Sequence, residues 1–260
     1  MKLSFIGFGN MAGAMAQGLI EFDCLPAQNI YASAAHFDKL EKKADTLGIH
    51  ACQTNLEAAA AGDVVILAVK PYMMETVTQE IRSALVNKTV VCIAAGFTDR
   101  KLRPLLPDDC ESLCVMPNTP IRVGQGILVW ETGSTLSADM EAKLAELFGP
   151  IALIAPVDSK HMDIAGTIAG CSPAFAAMFI EALSDAGVKY GLQRAQALEM
   201  AARVLEGTGA LFMADHSHPG VMKDSVCSPG GTTIRGVSQL EKDGFRGDII
   251  DAVDAVMNRQ

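Results

Sequence analysis

The chain opens with a short apolar run, Lys2 to Gly7, that ends at glycine. From Asn10 to Glu21, apolar side chains then recur at helical spacing among good helix formers. Strand, tight turn and helix are the elements this pattern predicts. The alternation continues: Asn29 to Ser33 (NIYAS) reads as a second strand, and Phe37 to Leu47 as a charged helix stopped by Gly48. Asp63 to Val69 (DVVILAV) is apolar over a full strand length, the pattern of a parallel strand covered on both faces. Lys70-Pro71 stops it, and a helix near Met73 to Leu85 follows. Thr89 to Ala95 and Leu113 to Met116 repeat the strand-then-breaker pattern. Gly126 to Glu131 and Ile151 to Ala155 read as later strands, with a helix at Ala138 to Phe148 between them. Strands alternating with helices in this way predict an α/β protein with a doubly wound parallel sheet.

Past Pro156 the pattern changes. Helical spacing occupies Lys160 to Tyr190, Arg194 to Ala214, Pro219 to Ser225, Thr232 to Lys242 and Gly247 to Arg259, with no strand pattern. The expected division is therefore an α/β domain over residues 1–156 and an all-α domain over residues 157–260. The helical part holds more alanine and small apolar residues than a domain of about 100 residues buries alone, so pairing with a second copy is expected. Ile164 to Leu183 carries Glu181 as its only charge and is long enough for a membrane span. Pro173 in its middle, its small side chains and the lack of a following basic cluster favour a helix buried in a core or subunit interface.

Charge and cysteine usage narrow the partners. A net charge of -9 and a pI near 5.0 work against nucleic acid and anionic membranes, because both repel an acidic body. Cys24, Cys52, Cys92, Cys110, Cys114, Cys171 and Cys227 are scattered, odd in number and without a CxxC pair. Neither a metal cluster nor a disulfide framework is expected, and a reducing cytoplasm is the simple inference. The start MKLSFIGFGN enters a strand without a leader pattern, so secretion is not expected.

Two stretches carry candidate chemistry. Gly7-Phe-Gly9-Asn10-Met11-Ala12 is a GxGxxA fingerprint between a strand and a helix. Gly7 permits the tight turn, Gly9 lets backbone approach a pyrophosphate, and Ala12 keeps helix and strand close. An acid at the end of the second strand would hold the ribose of NAD. The chain has Ser33-Ala34-Ala35-His36 there, which favours NADPH while leaving NADH possible, with Ser33 the expected phosphate contact and His36 or Lys39 as helpers. Further contacts are expected at Asn55 and at the strand ends Ala68, Val69, Lys70, Pro71, Ala94 and Asn118, where ligands meet such sheets. Lys70 reads equally as a catalytic acid, a cofactor contact or a residue at a chain turn.

The second stretch, Ser228-Pro-Gly230-Gly231-Thr232-Thr233, reads three ways on its residues. It can turn the chain, cap the next helix through Ser228 or Thr232, or hold an anion on its backbone N–H groups.

GFGNMA, AVKP (68–71), AAG (94–96), MPNTP (116–120), the GCSPA segment (170–174) and SPGGTT (228–233) together resemble the pyrroline-5-carboxylate reductases, in order and spacing over essentially the whole chain. The resemblance implies an N-terminal Rossmann domain and a C-terminal helical dimerisation domain, assembled as a homodimer or a ring of dimers. It implies reduction of L-1-pyrroline-5-carboxylate to L-proline by NADPH or NADH, the last step of proline biosynthesis, without a metal. It also implies that Ser228, Gly230, Gly231, Thr232 and Thr233 bind substrate, with Thr233 facing the ring nitrogen as the catalytic residue. An active site shared across a domain or subunit boundary would follow.

Departures from the pattern are Cys114 where many members have arginine, and Ser172 and Phe175 in the helix motif. Other readings are a related imine or hydroxyacid reductase, or a non-catalytic cofactor-sensing homologue. The hydroxyacid enzymes' Lys-x-x-x-Asn is missing, since Lys160 is followed four positions on by Ile164.

Overall fold

The computed structural model describes residues 1–258. They fall into two compact units, Met1–Gly170 and Cys171–Gln260, of which 259–260 lie outside the description. The division lies within a long helix, farther along the chain than the 156/157 expected from the change of pattern.

The first unit is built on one eight-stranded sheet. Its strands are β1 (Leu3–Ile6), β2 (Ile30–Ser33), β3 (His50–Ala51), β4 (Val64–Leu67), β5 (Thr89–Cys92), β6 (Glu111–Pro117), β7 (Gly126–Glu131) and β8 (Ala152–Val157). Their order is β3-β2-β1-β4-β5-β6-β7-β8. Sequence order runs outward in both directions from the β1–β4 pair, and such a reversal opens a crevice at the carboxyl ends of the strands. All pairings are parallel except β6 with β7. The expected doubly wound parallel sheet is present, with this one antiparallel pair within it. Only residues 118–125 separate β6 from β7, too few for the crossover a parallel return needs.

The helices between the strands are α1 (Asn10–Glu21), α2 (Phe37–Leu47), α3 (Asn55–Ala61), α4 (Met74–Ile81), α5 (Asp99–Leu102) and α6 (Ala138–Phe148). β4 is fully buried, and its side chains alternate between two cores. Val64 and Ile66 join Phe5, Leu19 and Phe148, while Val65 and Leu67 join Ile6, Met74 and Ile81. This is why its sequence is apolar on both faces. The helix expected from Met73 to Leu85 is shorter, passing into a 3₁₀ turn at Arg82–Ala84.

Lys88 ties the amino-terminal edge together. Its Nζ donates to the carbonyls of Ala59 at 2.6 Å, Ala60 at 2.9 Å and Gly62 at 2.6 Å, closing the C-terminal end of α3. Burial pushes its pKa below the ordinary lysine value, and Asp63 partly opposes this.

α7 (Met162–Lys189) is long and apolar enough, by length and composition, to cross a membrane, and Pro173 lies inside it. Its first turns pack Met162 and Ala169 against Val129 of β7. The second unit continues with α8 (Arg194–Asp215), α9 (Pro219–Ser225), α10 (Thr232–Lys242) and α11 (Phe245–Met257). The last helix was expected to run from Gly247 to Arg259. It begins two residues earlier, and Arg259 lies outside the described residues.

Little is buried within this second unit. Among its described residues the buried apolar side chains are Ala197 and Ala201, whereas Met178 is 68% and Ile250 61% exposed. Helices that keep so much apolar surface in water need a further surface to cover it.

Candidate functional site

The first unit gathers its candidate residues at the carboxyl ends of β1, β2 and β4. Gly7 has φ +92°, and a Cβ there would lie 2.8 Å from Val69 Cγ1 and 3.0 Å from the Ala68 carbonyl oxygen. Both conformation and space therefore demand glycine. The N–H groups of Gly7 and Phe8 donate to the Ser33 carbonyl at 3.0 and 2.9 Å, joining the turn to the end of β2. Gly9 is the N-cap of α1, makes no side-chain cap, and has open space where a side chain would stand. The helical bonding starts with Gly13 N–H donating to Gly9 O. The N–H groups of Asn10, Met11 and Ala12 thus precede the helical ladder and carry the positive end of the helix dipole.

A cavity of about 630 Å³ lies at this turn. Gly7, Gly9, Asn55, Ala68, Val69 and Lys70, all expected cofactor contacts, line it. Asn10 lines a neighbouring cavity of about 840 Å³ between α1, α2 and the turn at 119–123. Met11, Pro71 and Ala94 line neither.

Two expected contacts are buried and bonded to protein partners. Ser33 is 1% exposed, and its hydroxyl donates to the cavity-lining Asn55 Oδ1 at 2.8 Å. Asn55 Nδ2 in turn donates to Glu80 Oε2 at 3.0 Å. Ser33 orients Asn55, and the residues beyond β2 that face the cavity are Ala34, Ala35, His36, Lys39 and Lys43. Asn118 is also buried. Its Nδ2 donates to the Ala169 carbonyl at 3.0 Å and its Oδ1 accepts Ile127 N–H at 2.8 Å. The side chain clamps the end of β6 to β7 and to α7 and lines neither cavity.

Sequence reading missed Lys43, Val77 and Glu80 as cavity residues. Lys43 was accessible to it, because position 43 shares a helix face with Lys39, four residues earlier.

Cys114 is buried on β6, opposite its register partner Cys92 on β5. The hydrogen bond between the two thiols, followed by burial, raises the Cys114 pKa, so the group is a neutral thiol at physiological pH. Nearby on β7, the fully buried Glu131 accepts Asp99 N–H at 2.7 Å and the Ser159 hydroxyl at 2.5 Å.

The second unit carries the other candidate loop. Gly231 N–H donates to the Ser228 carbonyl at 3.0 Å, with Pro229 and Gly230 between them and Gly230 at φ +70°. Proline followed by a positive-φ glycine is the arrangement of a type II turn. A Cβ on Gly231 would collide with the Ser228 hydroxyl and stand 3.1 Å from its carbonyl oxygen. Gly231 is the N-cap of α10 and makes no side-chain cap bond. The capping role considered for Ser228 or Thr232 is therefore absent. The N–H groups of Thr232, Thr233 and Ile234 head the helix without a side-chain acceptor, and both threonines are exposed. Upstream, His218 Nδ1 accepts Gly220 N–H at 3.0 Å and caps α9, with Pro219 in the first helical position.

A glycine turn on the first strand of a sheet with this order, leading into an uncapped helix, defines a dinucleotide-binding α/β protein, here continued by a helical unit with an exposed apolar face. A family profile described as pyrroline-5-carboxylate reductase dimerisation matches residues 159–260, and one described as coenzyme F420-dependent NADP oxidoreductase matches residues 2–96.

The pyrroline-5-carboxylate reductase of Treponema pallidum is 42% identical over 99% of both chains. The enzyme of that name from Escherichia coli K12 is 38% identical over 99% of this chain and 96% of its own. The crystal structure of Plasmodium falciparum pyrroline carboxylate reductase with NADP bound superposes with a TM-score of 0.88 at 30% identity, covering 98% of this chain and 95% of that one. The chain belongs to the pyrroline-5-carboxylate reductase family.

Proposed function

We propose that the protein reduces L-1-pyrroline-5-carboxylate to L-proline, the last step of proline biosynthesis, using NADPH and also accepting NADH. The observation that carries this reading is the Ser228–Gly231 turn. It starts α10 with three N–H groups that no side chain caps, a cradle for a carboxylate.

The first unit fits a dinucleotide. Gly7 and Gly9 clear the approach to α1, and the N–H groups of Asn10 and Met11 meet a pyrophosphate. Asn55, Ala68, Val69 and Lys70 line the adjoining walls. Pro71 and Ala94 stand at the strand ends beside them, and Asn118 acts by holding its strand in place. Bound NADPH supplies the hydride that adds to the imine carbon.

In the second unit, the backbone N–H groups of Thr232 and Thr233 hold the substrate carboxylate, while Gly230 and Gly231, whose N–H is bonded to the Ser228 carbonyl, shape the turn that brings the carboxylate to them. The Thr233 hydroxyl bonds the ring nitrogen and orients it as it becomes an amine. A neutral hydroxyl is too weak an acid to be the ultimate proton source, so the Oγ1 proton is replenished from water.

The protein works as a soluble cytoplasmic homodimer or ring of dimers. The exposed apolar face of the helical unit, where the dimerisation profile matches, supports the pairing. Seven free cysteines are consistent with a reducing compartment.

The test is to mix purified protein with pyrroline-5-carboxylate and NADPH or NADH and follow absorbance at the nicotinamide band. Oxidation dependent on the imine is expected. No oxidation with either cofactor overturns the reading.

A further inference from the structure

We infer that Lys39 and Lys43, one turn apart on α2, read the 2′-phosphate of NADPH, and that their preference for NADPH over NADH is salt-sensitive. The inference rests on the proposed cofactor and names the groups that distinguish its two forms.

The position that commonly decides this choice, the end of β2, carries no charged side chain here. Ser33 is turned inward onto Asn55, and Ala34 and Ala35 follow it. No carboxylate stands there to bond a ribose hydroxyl or to repel a phosphate. The wall that continues from these alanines is cationic. His36, Lys39 and Lys43 line the same cavity as Gly7 and Gly9, and the two lysines share a helix face because they are four residues apart.

Among the described residues neither lysine is held in an ion pair, so their charges remain available to a ligand. His36 is the N-cap of α2 and makes no side-chain cap bond, which leaves the positive end of that helix at the same mouth. The one carboxylate lining the cavity, Glu80, is engaged with Asn55.

The residue type sets the character of the preference. Two ammonium groups act as point charges on flexible stems and lack the paired donors with which arginine grips a phosphate. Both lysines are exposed, so their attraction is screened as the Debye length falls from about 10 Å at 0.1 M salt to about 3 Å at 1 M. NADPH is therefore favoured by charge, and NADH is not sterically refused.

The test compares kcat/KM for NADPH and NADH, and the affinities for 2′,5′-ADP and 5′-AMP, in the full-length protein and in Lys39→Gln, Lys43→Gln and the double variant. The NADPH to NADH ratio is expected to fall roughly tenfold or more in the double variant, the scale of lost charge-assisted bonds. Lys39→Arg with Lys43→Arg is expected to restore it, and rising sodium chloride should lower the wild-type ratio. Lys42→Gln is the comparison, since Lys42 lies on the same helix but lines only the neighbouring cavity. A ratio unchanged in the double variant, or lowered equally by Lys42→Gln, overturns the inference. The nucleotide arm stands apart from catalysis: if the imine is not reduced but 2′,5′-ADP still loses affinity in the double variant, the proposed reaction fails and this inference holds.

Discussion

Gly18 of α1 and Ile121 of the turn after β6 pack backbone against backbone. A Cβ at position 18 would collide with the Ile121 carbonyl oxygen and lie 3.3 Å from its carbonyl carbon. The glycine is buried in mid-helix, where alanine would ordinarily gain about 1 kcal/mol of helix propensity. Because the obstacle is backbone that cannot swing aside, overpacking of about 1–3 kcal/mol is set against that gain. Gly18→Ala is expected to lower the urea midpoint. A midpoint equal to or above wild type would show that the helix and the turn separate easily.

Lys88 satisfies three carbonyls around the end of α3. Lys88→Met keeps the length of the side chain and removes the donors. A loss of about 1 kcal/mol is expected in chemical unfolding, the cost of removing a charged donor from partly buried and exposed acceptors. A stability change near zero would mean that water replaces the ammonium group without penalty.

Cys110 gives the alkaline side a recognisable slope. Burial pushes its thiol up to about 11 from an ordinary 9.0, the Arg103 charge opposing and Asp109 and Glu111 adding to the rise. The folded protein holds this proton more tightly than the unfolded chain. The stabilisation is complete below pH 9.0 and disappears as pH rises through about 11. Unfolding free energy measured from pH 8 to 11 should fall across that window by on the order of 2 kcal/mol. Cys110→Ala should flatten this part of the curve, and an equal slope in the variant would assign the effect elsewhere.

Thr233 is exposed at the head of α10, so its replacement disturbs little packing. Thr233→Ala is expected to reduce kcat by roughly tenfold or more, with NADPH affinity by fluorescence close to wild type. Gly231→Ala, whose Cβ meets Ser228, is expected to raise the KM for the imine more than that for NADPH. Parallel loss of cofactor binding in both variants would point to misfolding.

The apolar face of the helical unit makes stability depend on protein concentration. Dilution from micromolar to nanomolar should lower the melting temperature and shift sedimentation towards smaller species, because association removes that face from water. A monomer at micromolar concentration with a concentration-independent melting temperature contradicts the proposed pairing.

Much of this architecture was legible in the sequence where local signals agreed. α1, α2, α6 and α10 occupy the spans their apolar spacing predicts, helped by Gly48 after α2 and Ser137 before α6. α3 was missed because NLEAAAA shows no periodic contrast, even though Thr54 caps it by accepting Glu57 N–H at 3.1 Å. The direction of β7 was hidden for a related reason: GILVWE is apolar on both faces, and only the length of the preceding connection fixes its sense. At the candidate site, Gly7 and Gly230 were legible because a tight turn after a strand and a turn after proline call for the positive φ that glycine adopts. The partners of Ser33 and Asn118 were not legible, because sequence does not tell which way a polar side chain at a strand end turns, and here both bond protein groups.

The two alanines after β2 also bear on how this lineage can change. Alanine codons lie a single base from those of aspartate or glutamate, and Ala34 already faces the cavity. A carboxylate arriving there would oppose the lysine wall and offer a ribose hydroxyl its partner in one mutational event. Cofactor choice in this chain is thus a shallow evolutionary commitment, held by two surface charges rather than by the architecture of the sheet.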